Sequence, residues 1–282
     1  MLTRRRFITN SVTAVSAITI LPAIKVFGND YHAGRLPDAG KRVLRFAIAS
    51  DAHYGEPGTN YKSDLKNMIT WLNNDHKRNH LDFVIINGDL VHDQPHLLAE
   101  VKDQYLDTLK APFYAVPGNH DHVDTAMWEN IFGYKDNFTI EQNGIGLVLG
   151  NTTNIKGNII EPDNAFLKKS LDAYAAKKAV FIVLHIPPVR WMKNEWYFFD
   201  FPKTIELINS YPNVKAVLCG HDHSLDGKRM IGNVPCFFDS HIGGSWGTDY
   251  KGYRVVEVFE SNEVYTYQVN ASQNPRINSS KL

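Results

Sequence analysis

Residues 83–93 read Phe83-Val84-Ile85-Ile86-Asn87-Gly88-Asp89-Leu90-Val91-His92-Asp93. Five residues from Phe83 to Asn87, mostly apolar, are the length of a buried strand. Gly88 then lets the chain turn sharply, so that Asp89 is presented at the strand's carboxyl end. The same grammar recurs along the chain. Phe46–Ser50 (FAIAS) runs into Asp51-Ala52-His53, and Phe113–Val116 (FYAV) into Gly118-Asn119-His120-Asp121. Val180–Leu184 (VFIVL) meets His185, and Val214–Leu218 (VKAVL) leads to Gly220-His221-Asp222-His223. Ligands of open α/β sheets bind outside the carboxyl ends of the strands. The five polar motifs are therefore expected to converge, although they run from residue 51 to residue 223.

Between the motifs the pattern alternates. Helices are expected over 61–78, with Leu65, Met68, Ile69 and Leu72 on one face, and over 95–109, 125–132, 163–178 and 204–210. Strands are expected at 44–49, 83–87, 113–116, 138–142, 146–149, 180–184 and 214–219. The hairpin of 138–149 turns at Asn143-Gly144. A β-rich remainder follows at 228–231, 235–239, 253–259 and 264–269. Alternating βαβ units beside a β-rich remainder imply two packed sheets flanked by helices. One domain is expected over 43–270, after a linker at 29–42 and before a polar, flexible tail at 271–282.

The N-terminus reads as an address. Arg4-Arg5-Arg6-Phe7 precedes an uncharged stretch from Asn10 to Ile24, a signal-peptide layout of twin-arginine type. Residues 1–28 are thus expected to be an export signal, leading to a periplasmic or extracellular protein with no stable membrane span once mature. Those residues hold Arg4, Arg5, Arg6 and Lys25 and no acid, so removing them leaves 26 basic against 30 acidic residues, a balance of −4. A mildly acidic surface disfavours nucleic acid as the partner. Two cysteines, Cys219 and Cys236, make no disulfide framework, so the hydrophobic fraction of 43% must supply the core. Cys219 reads as a buried packing residue, with a Cys219–Cys236 bridge left open.

Imidazole, carboxylate and amide oxygen are donors for first-row metals, and no thiolate is among them. Glycines at 88, 118 and 220 free the turns that aim these donors inward. The order D-x-H, G-D, G-N-H-D, H, G-H-x-H resembles the calcineurin-like metallophosphoesterases over about residues 44–260. That resemblance implies a four-layer α/β/β/α sandwich of two mixed β-sheets. It also implies two divalent or trivalent metal ions, for which Fe, Mn and Zn are all compatible. Asp51, His53, Asp89 and His223 would hold the first, and Asp89, Asn119, His185 and His221 the second, with Asp89 bridging. His120 would serve as general acid or charge stabiliser, oriented by Asp121. The expected reaction is in-line attack by a metal-bridging hydroxide on a small phosphate ester.

Other residues extend the list. His92 stands where purple acid phosphatases carry a ligating Tyr, and the run Gly88–Asp93 is more similar to cyclic-nucleotide phosphodiesterases. His92, Arg190, Trp191 and His241, with Asn119, are candidate substrate contacts. Trp196, Tyr197, Phe198 and Phe199 share the aromatic stretch after His185 and could stack on a base. A nucleotide-like diester or monoester is the leading substrate class. Hydrolysis of a pyrophosphate or phospholipid-type ester, and a non-catalytic metal-dependent binding protein of the envelope, are the alternatives. Nothing in the composition speaks to oligomeric state.

Overall fold

The computed structural model describes residues 25–26, 40–192, 199–272 and 276–277. Two sheets form its centre. The first contains β1 (Lys25–Val26), β2 (Arg42–Ala49), β3 (Phe83–Asn87), β4 (Phe113–Val116), β11 (Gly252–Phe259), β12 (Val264–Asn270) and β13 (Arg276–Ile277). Their order is β1-β12-β11-β2-β3-β4, with β13 also on β12. The strands β2, β3 and β4 are parallel, whereas β11 runs antiparallel to β2 and β12. The second sheet is β5 (Phe138–Gln142), β6 (Ile145–Gly150), β7 (Ala179–Leu184), β8 (Val214–Cys219), β10 (Val234–Phe238) and β9 (Lys228–Ile231), in that order. Strands β6, β7, β8 and β10 are parallel, and β5 and β9 close the edges antiparallel.

Period-2 alternation assigns each strand's side chains to two apolar interfaces. Phe46, Ile48, Phe83 and Ile85 of the first sheet meet Leu147, Leu149, Phe181, Val183 and Leu218 of the second. The intervening Ala47, Ala49, Val84 and Ile86 face Leu65, Met68 and Leu72 of α1 (Tyr61–Asn79) and Trp128 of α3 (Thr125–Phe132). On the far side, Val148, Val180, Ile182 and Val217 pack on Leu167 and Leu171 of α4 (Asn164–Ala173) and Ile208 of α5 (Pro202–Asn209). The result is the expected α/β/β/α sandwich.

A buried ionic cluster ties the first sheet to α1. The guanidinium of Arg45, 1% exposed, donates to both oxygens of Asp75 at 2.9 Å, to Glu257 at 3.0 Å and to the Tyr267 hydroxyl at 3.1 Å. Glu257 lies directly across the ladder from Arg45, so a strand pair and a helix share one charge.

Two helices differ from expectation. The stretch 95–109 breaks into a 3₁₀ turn at Pro95–Leu97, α2 (Leu98–Gln104) and a second turn at Leu106–Thr108. A continuous helix would swing Leu106 about 140° away from Val101, at roughly 100° per residue. The break at Tyr105 lets both be buried. The stretch 163–178 is helical only to Ala173. Asp163 caps its start, accepting from the N–H groups of Ala165 and Phe166. Beyond it, the Asn213 amide donates to the carbonyls of Tyr174 and Lys177, which turns the chain toward β7.

The expected export signal, residues 29–39 of the expected linker, and residues Trp196, Tyr197 and Phe198 lie outside the described residues, apart from the Lys25–Val26 strand parallel to β12; residues 40–42 of that linker are described, and Arg42 opens β2. Among the described residues no helix is long and apolar enough to cross a membrane. Cys219 and Cys236 meet across β8 and β10 as free, buried thiols.

Candidate metal centre

The five motifs occupy neighbouring strand ends, and backbone hydrogen bonds lace them together. Asp51 N–H donates to Gly88 C=O and His53 N–H to Asp89 C=O, both at 3.0 Å, while Gly220 N–H donates to His185 C=O at 3.1 Å. Asp51, His53, Asp89 and His221 all adopt positive φ, from 43° to 69°. Such backbone costs of the order of 1–3 kcal/mol per residue and persists only where the surroundings enforce it. Two glycines are required by contact. A Cβ on Gly88, whose φ is +83°, would enter the His185 ring, and one on Gly118 would meet the backbone and carboxylate of Asp89.

Among the described residues three groups of donor atoms come together, one of them His53, His92 and His120 and two that hold the expected ligands. In each of Asp51, His53, His223 and Asp89, His185, His221, one ligand atom per residue lies within 4.8 Å of the others. Asp89 joins them: its Oδ2 is 3.2 Å from His185 Nε2 and 3.7 Å from His53 Nε2. Asn119 presents a buried Oδ1 with no hydrogen-bond partner. Tautomers are set from behind, in the manner of metal-ligating histidines. His185 Nδ1 donates to Asn87 C=O at 2.7 Å and His223 Nδ1 to Trp246 C=O at 3.3 Å, which leaves each Nε2 pointing inward. His53 Nε2 and His223 Nε2 face each other at 3.0 Å. Convergent nitrogens, a carboxylate shared between the two sets and an orphaned amide oxygen fit metal cations, with N and O donors suited to Fe, Mn or Zn.

Electrostatics divide the histidines between neutral rings, His53 and His221, and rings drawn toward the charged form by their carboxylates, His185 and His223. Burial would raise the Asp51 carboxyl, but His223 and then His185 outweigh it and hold it at about 2. Burial likewise opposes ionisation of Asp89, and His185 and His53 win by a wide margin. Burial depresses His53 to about 3 and His221 to about 4, leaving both imidazoles neutral at pH 7, the ligand form. His185 is drawn up to about 10 against burial because Asp89 demands positive charge beside its Nε2.

The contact expected between His120 and Asp121 is absent, and Asp93 takes that place. His120 Nδ1 lies 2.7 Å from Asp93 Oδ1, which His122 Nε2 also approaches at 2.9 Å. Burial opposes its ionisation, but these two hydrogen bonds hold the Asp93 carboxyl below the usual range. Asp121 is instead a loop staple, accepting from Gly118 N–H at 2.8 Å and Val91 N–H at 2.9 Å. Burial, aided by Asp89, raises its carboxyl to about 7.

The remaining candidates separate. His92 joins the site, with Nδ1 at 2.9 Å from His53 Nδ1 and its ring stacked on His120 at 5.1 Å. Trp191 flanks it: its indole N–H donates to Asp222 at 2.6 Å, and its ring centroid is 6.4 Å from that of His221. Arg190 is exposed and is held through its backbone N–H on Asp200; among the described contacts its side chain does not enter the ligand cluster. His241 stacks on His223 at 5.0 Å, is only 3% exposed and hydrogen-bonds Gly243 C=O, so it backs a ligand rather than facing substrate. Sequence reasoning missed three participants. Asp93 lies within a quoted motif without a marked role, Trp246 lies in a glycine-rich turn, and Asp239 is fully buried near Asp51.

Two sheets carrying His, Asp and Asn donors on their facing strand ends define a metallophosphoesterase-type centre. The family model described as calcineurin-like phosphoesterase matches residues 44–225, and the chain belongs to that family, a class of phosphoric ester hydrolases. An Arcobacter nitrofigilis protein named "Probable glycerophosphodiester phosphodiesterase" is 29% identical over 175 residues, covering 56% of this chain and 62% of that protein. A Coxiella burnetii protein named "Probable cyclic nucleotide phosphodiesterase" is 26% identical over 204 residues, covering 65% and 82%. Among solved structures, a dimetal phosphatase from Danio rerio superposes with TM-score 0.61 at 12% identity, over 80% of this chain and 99% of that one. A calcineurin-like phosphoesterase from Bacillus subtilis gives 0.54 at 14%, over 84% and 93%. At such identities these likenesses concern the fold.

Proposed function

We propose that the chain is a two-metal phosphodiesterase that hydrolyses small nucleotide-like phosphate diesters. The observation that carries this reading is the convergence of His53, His223 and His185 Nε2 around Asp51 and Asp89. The names of the relatives support the diester. Asp51, His53, Asp89 and His223 would hold one ion, and Asp89, Asn119, His185 and His221 the other. When bound, the pair supplies an activated water at neutral pH and neutralises the phosphate oxygens.

The chain's own groups do the rest. Asn119 and His120 donate to the phosphate and hold it in line. The leaving alkoxide takes its proton from His120, whose Nδ1 Asp93 grips so that Nε2 faces the ester. His92, stacked on His120 and set against His53, keeps both rings in place.

The test is turnover of bis-p-nitrophenyl phosphate beside p-nitrophenyl phosphate by Mn²⁺-loaded protein, with Asp89→Ala as control. Diester hydrolysis lost in Asp89→Ala supports the reading. Preference for the monoester would replace it with a phosphatase, and metal binding without any turnover would replace it with a binding protein. We also propose export of the chain, on the strength of Arg4-Arg5-Arg6 before an uncharged stretch. Periplasmic fractionation of the wild type against Arg4→Lys, Arg5→Lys, Arg6→Lys tests it.

A further inference from the structure

A large apolar ring is left half in solvent beside the ligand histidines. Trp246 is 46% exposed, yet it is not a loose side chain. Its indole lies flat on the His223 imidazole, with centroids 4.4 Å apart and planes 3° from parallel. His241 also stacks on His223, at 5.0 Å and 16°. Trp246 also tilts against His53 at 5.0 Å, and His53 in turn stands 4.8 Å from His120. The indole is therefore two ring contacts from the group assigned to the leaving oxygen.

The turn that carries it is anchored. Trp246 C=O accepts from His223 Nδ1, and Ser245 Oγ donates to the buried Glu56 carboxylate at 2.6 Å. Gly243 N–H donates to Asp51 C=O at 2.9 Å, and Thr248 N–H to His223 C=O at 2.8 Å. A ring fixed by its backbone on both sides loses little entropy when it receives a ligand. Packing His223 would be served as well by a smaller side chain; an indole adds a broad π surface that remains wet. Such a surface recognises flat rings through stacking and offers little to an aliphatic alcohol.

We propose that Trp246 is the specificity-determining platform of this site, stacking a heteroaromatic ester group and so selecting nucleoside diesters over glycerol-type diesters. This rests on the phosphodiesterase reading above and decides between the two chemistries found among the relatives' names.

The test uses the full metal-loaded protein, as wild type, Trp246→Phe and Trp246→Ala. Thymidine 5′-(p-nitrophenyl phosphate) and glycerophosphocholine are the substrates, and equilibrium dialysis of adenosine 5′-monophosphate against glycerol 3-phosphate measures binding. Loss of a base–aromatic stack corresponds to roughly a tenfold to hundredfold effect. Trp246→Ala is expected to lose that factor in kcat/KM on the nucleoside diester relative to glycerophosphocholine, mainly through KM, with Trp246→Phe recovering most of it. Nucleotide binding should fall in step, while glycerol 3-phosphate binding changes far less. Equal losses on both substrates, or lowered metal content in Trp246→Ala and Trp246→Phe alike, would make Trp246 a mere support of His223 and overturn the proposal. So would unchanged discrimination. If the wild type turned over neither ester, the phosphodiesterase reading would fail on its own. The dialysis would still judge Trp246, with nucleotide binding lost in Trp246→Ala supporting the platform and nucleotide binding retained refuting it.

Discussion

Replacing Asp93 tests which carboxylate governs His120. The structure gives the His120 Nδ1 contact, 2.7 Å, to Asp93 and engages both oxygens of Asp121 with backbone N–H groups. A hydrogen bond to a charged group contributes about 1.5–3 kcal/mol against about 0.5–1.5 for a neutral one, so removing only the charge is worth about 1 kcal/mol at a buried site. The Asp93 side chain is 52% exposed, and water screens part of that. Asp93→Asn should therefore cost about 0.5–1 kcal/mol of transition-state stabilisation, or roughly two- to fivefold in kcat. Asp93→Ala removes the bond itself and frees the ring, for about tenfold. His120→Ala should cost about 10²–10⁴ in kcat with both metals retained. Steady-state kinetics on bis-p-nitrophenyl phosphate, with metal content by mass spectrometry, would read all three. The decisive measurement is the double variant. If Asp93 acts through His120, Asp93→Ala should add nothing once His120 is gone. A full additional tenfold loss in the His120→Ala background would refute the assignment. So would an Asp121→Asn variant that copied Asp93→Asn in kcat at unchanged stability.

Three further outcomes are expected. Gly88→Ala places a methyl in the His185 ring at a backbone φ of +83°, so it should lose the metal assigned to His185 while Gly133→Ala, strained but meeting nothing, keeps it; metal analysis of the two decides. Arg45→Met leaves Asp75 without its cation, while Glu257 keeps Arg42 at 2.8 Å, and should lower stability by about 3 kcal/mol in urea unfolding, with kcat per folded molecule unchanged. Chelation should lower Tm, because an ion that binds only the folded chain stabilises it, by about 2.7 kcal/mol when present at a hundred times its Kd. An unchanged Tm after verified metal removal would contradict the assigned centre.

The fold was readable because its strands are apolar on both faces and close within a few residues of glycine or a charged side chain. Phe83–Asn87 is bounded by Gly88, and Val214–Cys219 by Gly220. Convergence of the ligands needed only the rule of strand carboxyl ends and the order of motifs. What one sequence could not reveal was which neighbour a side chain chooses after the chain has turned. Asp121 directly follows His120, and adjacency suggests partnership. Yet consecutive residues in a tight turn point apart, and Asp121 folds back to the Gly118 and Val91 amides. The residue that reaches His120 comes from the loop after β3, where Asp93 has a φ of 56° and its N–H bonds the His120 carbonyl. Its place depends on the pairing of β3 with β4, a contact between strands rather than between neighbours in sequence.

The same reasoning explains why Trp246 escaped notice and why His241 was given too open a place. Both belong to the turn-rich segment between β10 and β11, which carries no periodicity to say which side chains face inward. The hydrogen bonds of Ile242 N–H to Ser50 C=O and of Gly243 N–H to Asp51 C=O bind this segment to the end of β2. Once it is fastened there, His241 and Trp246 both stack on His223, with His241 buried and Trp246 left half in solvent. The strand-end motifs thus build the centre that the chemistry requires. The loop proposed to meet substrate is aimed by contacts with the same strand ends, so under that proposal a change in its rings alters selectivity while the donor atoms stay where the sheets hold them.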